Sequence, residues 1–188
     1  MSTKKIGIVT IHRICNYGAL LQAYALNKFL RKAGYDAETI DFRTYRVAES
    51  YKLFDKPIGN FMDIPRFFYT LWHIAKLKRK KKNFLEFLDN YIPQSKQTYY
   101  SDEELEKAHL DYDCYVCGSD QIWHTFCQNY SDAFVLKFAR NKGRRISYAA
   151  SMGAPTIHES KHSIFREELK DFHALSVREA GAKTEIEK

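Results

Sequence analysis

The sequence predicts an α/β fold, a Rossmann-like lobe built on a parallel sheet. Three consecutive segments support this prediction. Residues 5–11 are a β-branched run typical of a buried strand, residues 18–33 carry apolar side chains at helical spacing, and residues 37–42 form a second strand-like run. Because a strand, a helix and a strand follow each other so closely, we expect a right-handed crossover that makes the two strands parallel.

The first helix has defined ends in the sequence. Asn16 precedes it and is a favoured N-cap, while Gly34 follows it and is a favoured C-terminal stop. The predicted buried stripe comprises Ala19, Ala23, Leu26, Leu30 and Ala33. A helix with one apolar stripe of this kind should pack against the sheet.

Residues 43–100 do not continue this alternation, and we expect a helical insertion here. The segment is aromatic over residues 61–72 and strongly basic over residues 76–82. The chain has 30 basic and 23 acidic residues, and six of the basic ones lie in residues 76–82, so the net charge falls from +7 to +1 without that run. The basic character belongs to one segment, and we expect no nucleic-acid partner.

Residues 61–82 are a candidate membrane contact, since aromatic residues beside lysines suit docking to an anionic bilayer surface. A solvated, like-charged helix face is the ordinary alternative. No apolar run reaches the ~18 residues that span a bilayer, and the N-terminal run is too short for a signal-peptide core. We therefore expect a cytoplasmic protein, peripheral at the inner membrane face if the candidate contact forms.

The second half of the chain returns to the α/β pattern. Ser101 and Glu104 form a capping box for a short helix, and residues 112–117 form a third strand. The further predicted elements are a strand over residues 144–153, a helix over 158–172 and a strand over 173–179. We interpret residues 1–188 as a single domain, and the sequence ends where a helix behind the last strand should begin.

Four cysteines, Cys15, Cys114, Cys117 and Cys127, raise the question of a disulfide or a metal site. Without a secretory signal, a disulfide framework is not expected. Cys114 and Cys117, followed by His124, have a zinc-like spacing, but side chains three apart on a strand point to opposite faces. We therefore interpret the strand cysteines as core residues and expect no metal site.

Residues 12–18 form the turn between the first strand and its helix, where open α/β sheets bind ligands. The N–H groups at the helix start favour a phosphate or a carboxylate, and a plain turn capped by Asn16 is an equally good interpretation. The turn has a single glycine, so the glycine-rich motifs of dinucleotide and ATP sites are missing.

The loop GSDQIW, residues 118–123, follows the apolar third strand. Its glycine allows close backbone approach, and its serine, aspartate and glutamine supply hydrogen-bond donors and acceptors. Asp120 is a candidate base or the cap of the following turn. Trp123 stacks on a sugar ring or anchors the loop in the core.

Arg178 lies in the segment SVRE at the end of the last predicted strand. An arginine there can clamp a carboxylate or a phosphate through paired hydrogen bonds. A surface ion pair with Glu179 is the alternative. The sequence has no Gly-x-Ser-x-Gly elbow, which disfavours a serine hydrolase.

Four segments in this order, NYGALLQAYAL, YDCYVCGSDQIW, ISYAASMG and LSVRE, resemble the polysaccharide pyruvyl transferase family. The resemblance covers about residues 5–42 and 110–180. It implies one lobe of a two-lobed fold like that of B-type glycosyltransferases, with the cleft between the lobes. It also implies transfer of pyruvate from phosphoenolpyruvate to sugar hydroxyls of a cell-surface glycan or its lipid-linked precursor.

By this resemblance, this lobe's side of the cleft is lined by Asn16, Tyr17, Gly18, Gly118, Ser119, Asp120, Gln121 and Trp123. Arg178 matches the arginine of the family's SVRE-like motif and is expected to contact the donor. Protonation of the donor's methylene carbon builds positive charge on the adjacent carbon, so the site needs cationic clamps, an acid and a base. Arg178 is the candidate clamp and Asp120 the candidate base. Phosphoenolpyruvate is the donor substrate, and neither a cofactor nor a metal is implied.

The resemblance is to the N-terminal lobe alone, so we expect either a truncated or split product or a chain that works with a complementary C-terminal lobe as its partner. In both cases the isolated chain should have little transferase activity. A non-catalytic glycan-binding or membrane-docking fragment is the alternative, and phosphate release distinguishes the two. A nucleic-acid-binding module would rest on residues 76–82 alone and is not favoured.

Overall fold

The computed structural model describes residues 3–44, 63–127 and 130–187. Five parallel strands form one sheet in the order β3-β2-β1-β4-β5, which confirms the predicted α/β, Rossmann-like class. The strands are β1 (Lys5–Val9), β2 (Asp36–Phe42), β3 (Gln94–Tyr99), β4 (Cys114–Gly118) and β5 (Arg144–Tyr148). The helices are α1 (Tyr17–Lys32), α2 (Asp63–Tyr91), α3 (Asp102–Lys107), α4 (His162–Leu169) and α5 (Ala180–Ile186).

The first crossover, from β1 through α1 to β2, forms as the sequence predicts. Asn16 caps α1, because its Oδ1 accepts the backbone N–H groups of Gly18 at 2.8 Å and Ala19 at 3.2 Å. Gly34 follows the helix with φ +91°, a conformation that other residues rarely adopt. From the predicted stripe, Leu26 packs into a cluster with apolar residues of β1, β2 and β4.

The prediction of a helical insertion over residues 43–100 is wrong for the end of that segment. Its last part forms β3, which pairs in parallel with β2 at the edge of the sheet. β2, α2 and β3 are therefore a second crossover unit. The sequence signal was weak because β3 reads QSKQTY, a polar strand with one buried residue. Residues 45–62 of the predicted insertion lie outside the described residues.

Helix α2 packs beside α1 through a small apolar cluster. Phe84, Leu88 and Ile92 contact Leu20 and Ala23, and all five side chains are buried. The basic run earlier in α2 lies mostly at the surface. Within the described residues, no helix combines the length and hydrophobicity that crossing a bilayer requires.

The larger hydrophobic core joins Cys117 of β4 with Leu105 of α3, Phe165 of α4 and Ala182 of α5. Cys114 instead packs against the cluster beneath α1. The two cysteines of β4 therefore lie on opposite faces of the sheet, as their spacing predicts. All four cysteine thiols are free.

The predicted strand over residues 173–179 is only partly formed. Two isolated parallel bridges, one of them between Ile146 and Ala174, connect it to β5 and the residues after β5. The helix predicted over residues 158–172 corresponds to a short 3-10 turn followed by α4. The chain thus continues the sheet beyond β5 without a regular ladder and then enters α5.

Leu88→Ala tests the packing of α2 on α1. Leu88 is 1% exposed, so truncation leaves a cavity and should lower the free energy of unfolding by about 2–5 kcal/mol. Urea denaturation followed by circular dichroism measures this change. Trp72→Ala, at an 86% exposed position of the same helix, should change the free energy by less than about 0.5 kcal/mol. Equal effects of the two substitutions would contradict the packing.

Candidate functional site

A cavity of about 410 Å³ lies at the carboxyl ends of β1 and β4. The strand order reverses between these neighbours, since β1 leads to β2 on one side and β4 leads to β5 on the other. Such a reversal leaves a crevice where open α/β sheets bind ligands. Among the predicted site residues, the lining includes Asn16, Gly18, Ser119, Asp120, Gln121 and Arg178.

The loop after β4 passes very close to the end of β5. Gly118 has φ +120°, and a Cβ atom there would lie 2.0 Å from the carbonyl oxygen of Tyr148. A side chain therefore cannot be added without moving the backbone. Two backbone hydrogen bonds hold the loop in place. The N–H of Ser151 donates to the carbonyl oxygen of Asp120 at 2.9 Å, and the N–H of Trp123 donates to the carbonyl oxygen of Ser151 at 3.1 Å. Gly118 thus shapes the cavity indirectly, because it allows the loop to follow this path.

Asp120 faces the cavity from the same loop, and its Oδ1 accepts the backbone N–H of Gln121 at 2.8 Å. Burial raises the pKa of Asp120, while the Gln121 N–H and the charge of Arg178 counteract only part of that rise. A carboxylate in this environment is a stronger base than an exposed one. It suits a group that takes a proton from a hydroxyl.

Arg178 reaches the cavity from the segment beside β5. Its Nη2 donates to Ser151 Oγ at 2.8 Å and its Nε donates to Glu179 Oε1 at 3.3 Å. The ion pair with Glu179, one of the two interpretations of this arginine, is therefore present. The arginine side chain is nevertheless 49% exposed, so the guanidinium keeps a solvent-facing side that can bind an anion.

Besides Gly118, which is not part of the cavity lining, two residues that we expected to line the cleft lie elsewhere. Trp123 is fully buried, since its Nε1 donates to Phe134 O at 2.9 Å and its ring contacts the ring of Phe165. It anchors the loop in the core, and the sugar-stacking interpretation is wrong. Tyr17 packs on Phe84 of α2 with ring centroids 4.6 Å apart, because it lies on the side of α1 that faces α2.

The start of α1 is capped rather than open. Asn16 Oδ1 already accepts the N–H groups of Gly18 and Ala19, so these two donors are not available to an anion. Of the two interpretations of this turn, the structure supports the capped turn. Asn16 and Gly18 remain part of the cavity wall.

A buried charge cluster, which the sequence analysis missed, supports the loop after β1. Asp41, at the end of β2, is 3% exposed. Its carboxylate accepts two hydrogen bonds from Arg43, at 3.0 and 2.6 Å, and one from Thr98 Oγ1 at 2.8 Å. Arg13 Nε lies 3.0 Å and His12 Nε2 lies 3.4 Å from Asp41 Oδ1. The cluster fixes the loop to β2 and β3.

The charge state of Asp41 follows from these contacts. Burial raises its pKa, but the contacts with His12, Arg43, Thr98 and Arg13 outweigh burial and hold the pKa well below its usual range. Of these contacts, the one with His12 lowers the pKa most, although its Nε2 lies 3.4 Å from Oδ1 and makes no well-aligned hydrogen bond. These residues are scattered along the sequence and meet only when β1, β2 and β3 pair, so no motif indicates the cluster.

Gln22, His124, Cys127 and Tyr130 also line the cavity and were not predicted. Helical spacing could have predicted Gln22 as a cavity residue, because it follows the cavity residue Gly18 by four positions on α1 and therefore lies on the same face. His124, Cys127 and Tyr130 lie just beyond the GSDQIW loop in a segment without periodicity. Within the described parts of the chain, no group of three or more His, Cys, Asp or Glu side chains is placed to hold a metal ion.

The family model of polysaccharide pyruvyl transferases matches residues 16–186. The match begins at the cap of α1 and ends in α5, so it includes the segment between the motifs as well as the motifs themselves. It confirms the resemblance inferred from the motifs. No curated protein and no solved structure matches the chain.

Asp41→Asn tests the cluster beneath the β1 loop. Because the folded-state pKa of Asp41 is lowered, its ionised form stabilises the fold above the ordinary carboxyl pKa near ~4, and this contribution disappears as the pH falls toward the folded-state value. At pH 7 the asparagine removes the buried negative charge that faces the guanidinium groups of Arg13 and Arg43, and loss of one partner of a buried ion pair should cost about 3–5 kcal/mol. Urea denaturation at pH 7 and at pH 3 measures the difference, which should shrink at the lower pH.

The matched control is Asp36→Asn, on the same strand. The side chain of Asp36 is 60% exposed, with Arg31 at 3.8 Å, so its replacement should cost less than about 1 kcal/mol. A cost of Asp41→Asn that stays the same at both pH values would contradict the assignment of an ionised, stabilising Asp41.

Proposed function

Because the chain belongs to the polysaccharide pyruvyl transferase family, we propose that it takes part in moving a pyruvyl group from phosphoenolpyruvate to a sugar hydroxyl of a cell-surface polysaccharide or its precursor. One observation carries the proposal. A basic carboxylate, Asp120, and a half-exposed guanidinium, Arg178, line one cavity at the carboxyl ends of β1 and β4. A hydroxyl acceptor and an anionic donor require this pair of groups.

Arg178 is the group that holds the donor. Phosphoenolpyruvate presents a carboxylate and a phosphate, and either matches the paired N–H groups of a guanidinium. Ser151 and Glu179 fix one side of Arg178 and leave the other side open. A positioned guanidinium loses less conformational freedom on binding than a free surface arginine does.

Asp120 is the group that accepts the hydroxyl proton. In the reaction, a proton adds to the methylene carbon of phosphoenolpyruvate, a sugar hydroxyl oxygen bonds to the adjacent carbon, and the C–O bond to phosphate breaks. A second sugar hydroxyl completes the cyclic ketal, and the hydroxyl protons balance the proton on the new methyl group and the proton on phosphate. Asp120 Oδ1 is oriented by the Gln121 N–H, and burial makes the carboxylate a better base.

The proton for the methylene carbon must come from a further acid, and a complementary C-terminal lobe is the proposed source. The transfer needs no cofactor beyond the donor itself in this scheme. A non-catalytic glycan-binding role keeps the same cavity but releases no phosphate. Phosphate release by the chain together with its complementary lobe therefore separates the transferase from the binding module.

Isothermal titration calorimetry with phosphoenolpyruvate tests the donor site. Arg178→Ala should weaken binding at least about tenfold, since a charged hydrogen bond contributes about 1.5–3 kcal/mol. Arg144→Ala is the matched control, because Arg144 is exposed at the amino end of β5, away from the cavity. Binding that is equally strong in all three proteins would refute the donor-binding role of Arg178.

The basic part of the candidate membrane contact lines a groove of its own. A groove between α1 and α2 of about 810 Å³ is lined by apolar residues such as Leu21 and Phe87 and by basic ones such as Lys76 and Arg79. Lys80 Nζ lies 5.6 Å from the ring centre of Tyr17 and 5.8 Å from that of Phe84. We extend the proposal to peripheral binding at the anionic inner face of the membrane, where a lipid-linked acceptor would be found.

Charge neutralisation tests the membrane contact. Lys76, Arg79 and Lys80 changed together to Gln should lower partition into phosphatidylglycerol-containing vesicles by roughly 100-fold, at about 1 kcal/mol per basic residue. Sedimentation with vesicles, compared with pure phosphatidylcholine, measures it. Lys28, Arg31 and Lys32 of α1, changed together to Gln, remove the same charge elsewhere and should have a much smaller effect. Equal losses from the two triple variants would indicate attraction by net charge alone.

A further inference from the structure

Three polar atoms in the wall of the cavity have no hydrogen-bond partner among the residues that the structure describes. They are Gln22 Oε1, His124 Nδ1 and the hydroxyl oxygen of Tyr130, and each is buried. All three residues line the same cavity. Buried polar atoms are normally paired, since leaving a hydrogen bond unmade destabilises the fold, so three unpaired atoms around one cavity point to a ligand.

The orientation of Gln22 is fixed by its neighbours. Its Nε2 donates to Thr10 Oγ1 at 2.9 Å and to the carbonyl oxygen of Ile11 at 3.2 Å. Because a carbonyl oxygen can only accept, the amide cannot be turned around without losing this bond. The unpaired atom of Gln22 is therefore an acceptor that needs a donor.

Tyr130 is held as a donor in the same wall. Burial raises the pKa of its hydroxyl, with the charges of Asp132 and Asp102 acting in the same direction, so the group stays protonated. Its ring stacks on Phe165 with centroids 5.9 Å apart. The hydroxyl can both donate and accept, as can a neutral imidazole through its two ring nitrogens.

The charge of the cavity does not match phosphoenolpyruvate as its only ligand. Among the described lining residues, Arg178 is the one lysine or arginine, and the carboxylate of Asp120 opposes its charge. Phosphoenolpyruvate carries about −2.5 to −3 near neutral pH, from one carboxylate and one phosphate. The acceptor-only Gln22 Oε1 would repel the oxygens of either group, whereas a hydroxyl satisfies it by donating.

We propose that this cavity binds the acceptor, as a neutral sugar ring whose hydroxyl groups hydrogen-bond to Gln22, His124 and Tyr130. This inference rests on the proposed function and divides the site, with the donor at Arg178 and the acceptor ring in the cavity. The unpaired atoms are covered in the unliganded cavity, so the neighbouring side chains that cover them move aside when the sugar binds, a common change on binding.

Titration of a panel of methyl pyranosides of glucose, galactose and mannose, followed by protein amide shifts in NMR, tests the proposal. At least one glycoside should bind, and Tyr130→Phe should weaken that binding by about 5–10-fold, because it removes one hydroxyl hydrogen bond. His124→Phe keeps an aromatic ring at this position but removes both ring nitrogens, and it should weaken binding similarly. Affinity for phosphoenolpyruvate, measured by calorimetry, should stay within about twofold in both variants.

Two controls separate binding from folding. Tyr130→Phe removes a hydroxyl that has no partner, so its thermal midpoint should not fall below that of the wild type. Tyr148→Phe changes a half-exposed tyrosine outside the cavity and should bind glycosides normally. Arg178→Ala should show the reverse pattern, with donor binding lost and glycoside binding kept.

The outcomes distinguish this inference from the proposed function. If phosphoenolpyruvate binds but no glycoside does, or if both cavity variants bind glycosides like the wild type, the acceptor assignment is overturned and the donor site stands. If a glycoside binds in a Tyr130-dependent way and phosphoenolpyruvate does not bind, the acceptor assignment stands and the donor role of Arg178 fails.

Discussion

The candidate site depends on the parallel pairing of β1 with β4 at the centre of the sheet. The register sets Val9 opposite Cys117, so the loops that follow these strands start side by side. The connection after β1 leads toward α1, and the connection after β4 leads into the larger core. Because the two loops diverge from neighbouring points, they leave space between them at the carboxyl edge. Every described lining residue reaches the cavity from one of these loops, from α1, from the residues after β2 or from the segment beside β5.

The loop after β1 is held in place by a chain of polar contacts that starts at the cavity and ends at the buried carboxylate of Asp41. Gln22 donates to Thr10 Oγ1, and His12 Nδ1 lies 3.0 Å from the carbonyl oxygen of Thr10. His12 Nε2 then faces Asp41, which also receives two guanidinium groups. Burying a carboxylate is unfavourable unless it is paired, and here the pairing partners come from the loop after β1, from the residue after β2 and from β3. The cost of burying the charge is thus offset by contacts that join three strands to one wall of the site.

Local signals in the sequence were sufficient to predict the central elements of the sheet and were insufficient to predict its edge strand β3. The cap at Asn16, the stop at Gly34 and the apolar β4 run are determined by neighbouring residues, and all three form as expected. β3 is polar, because an edge strand has one neighbour and little burial, so its sequence resembles a loop. The functions of Trp123 and of the Asp41 cluster depend on residues distant in sequence. A motif can place Trp123 after a strand, but only the packing of Phe134 and Phe165 shows that its ring points into the core.

The charge of the cavity wall affects both the basicity of Asp120 and the binding of an anionic donor. Arg178 is already paired with Glu179 and also acts on Asp120, so most of its charge is balanced within this chain. A strongly basic wall would hold the donor tightly but would also lower the pKa of Asp120 and weaken it as a base. A nearly neutral wall keeps that pKa raised, which suits the removal of a hydroxyl proton. In the proposed reaction, cations that stabilise departing phosphate would then be better placed on a complementary lobe, where they would approach the phosphate without facing Asp120. Under the proposed function, the low charge of this wall therefore favours activation of the acceptor, while Arg178 supplies the wall's contact with the donor.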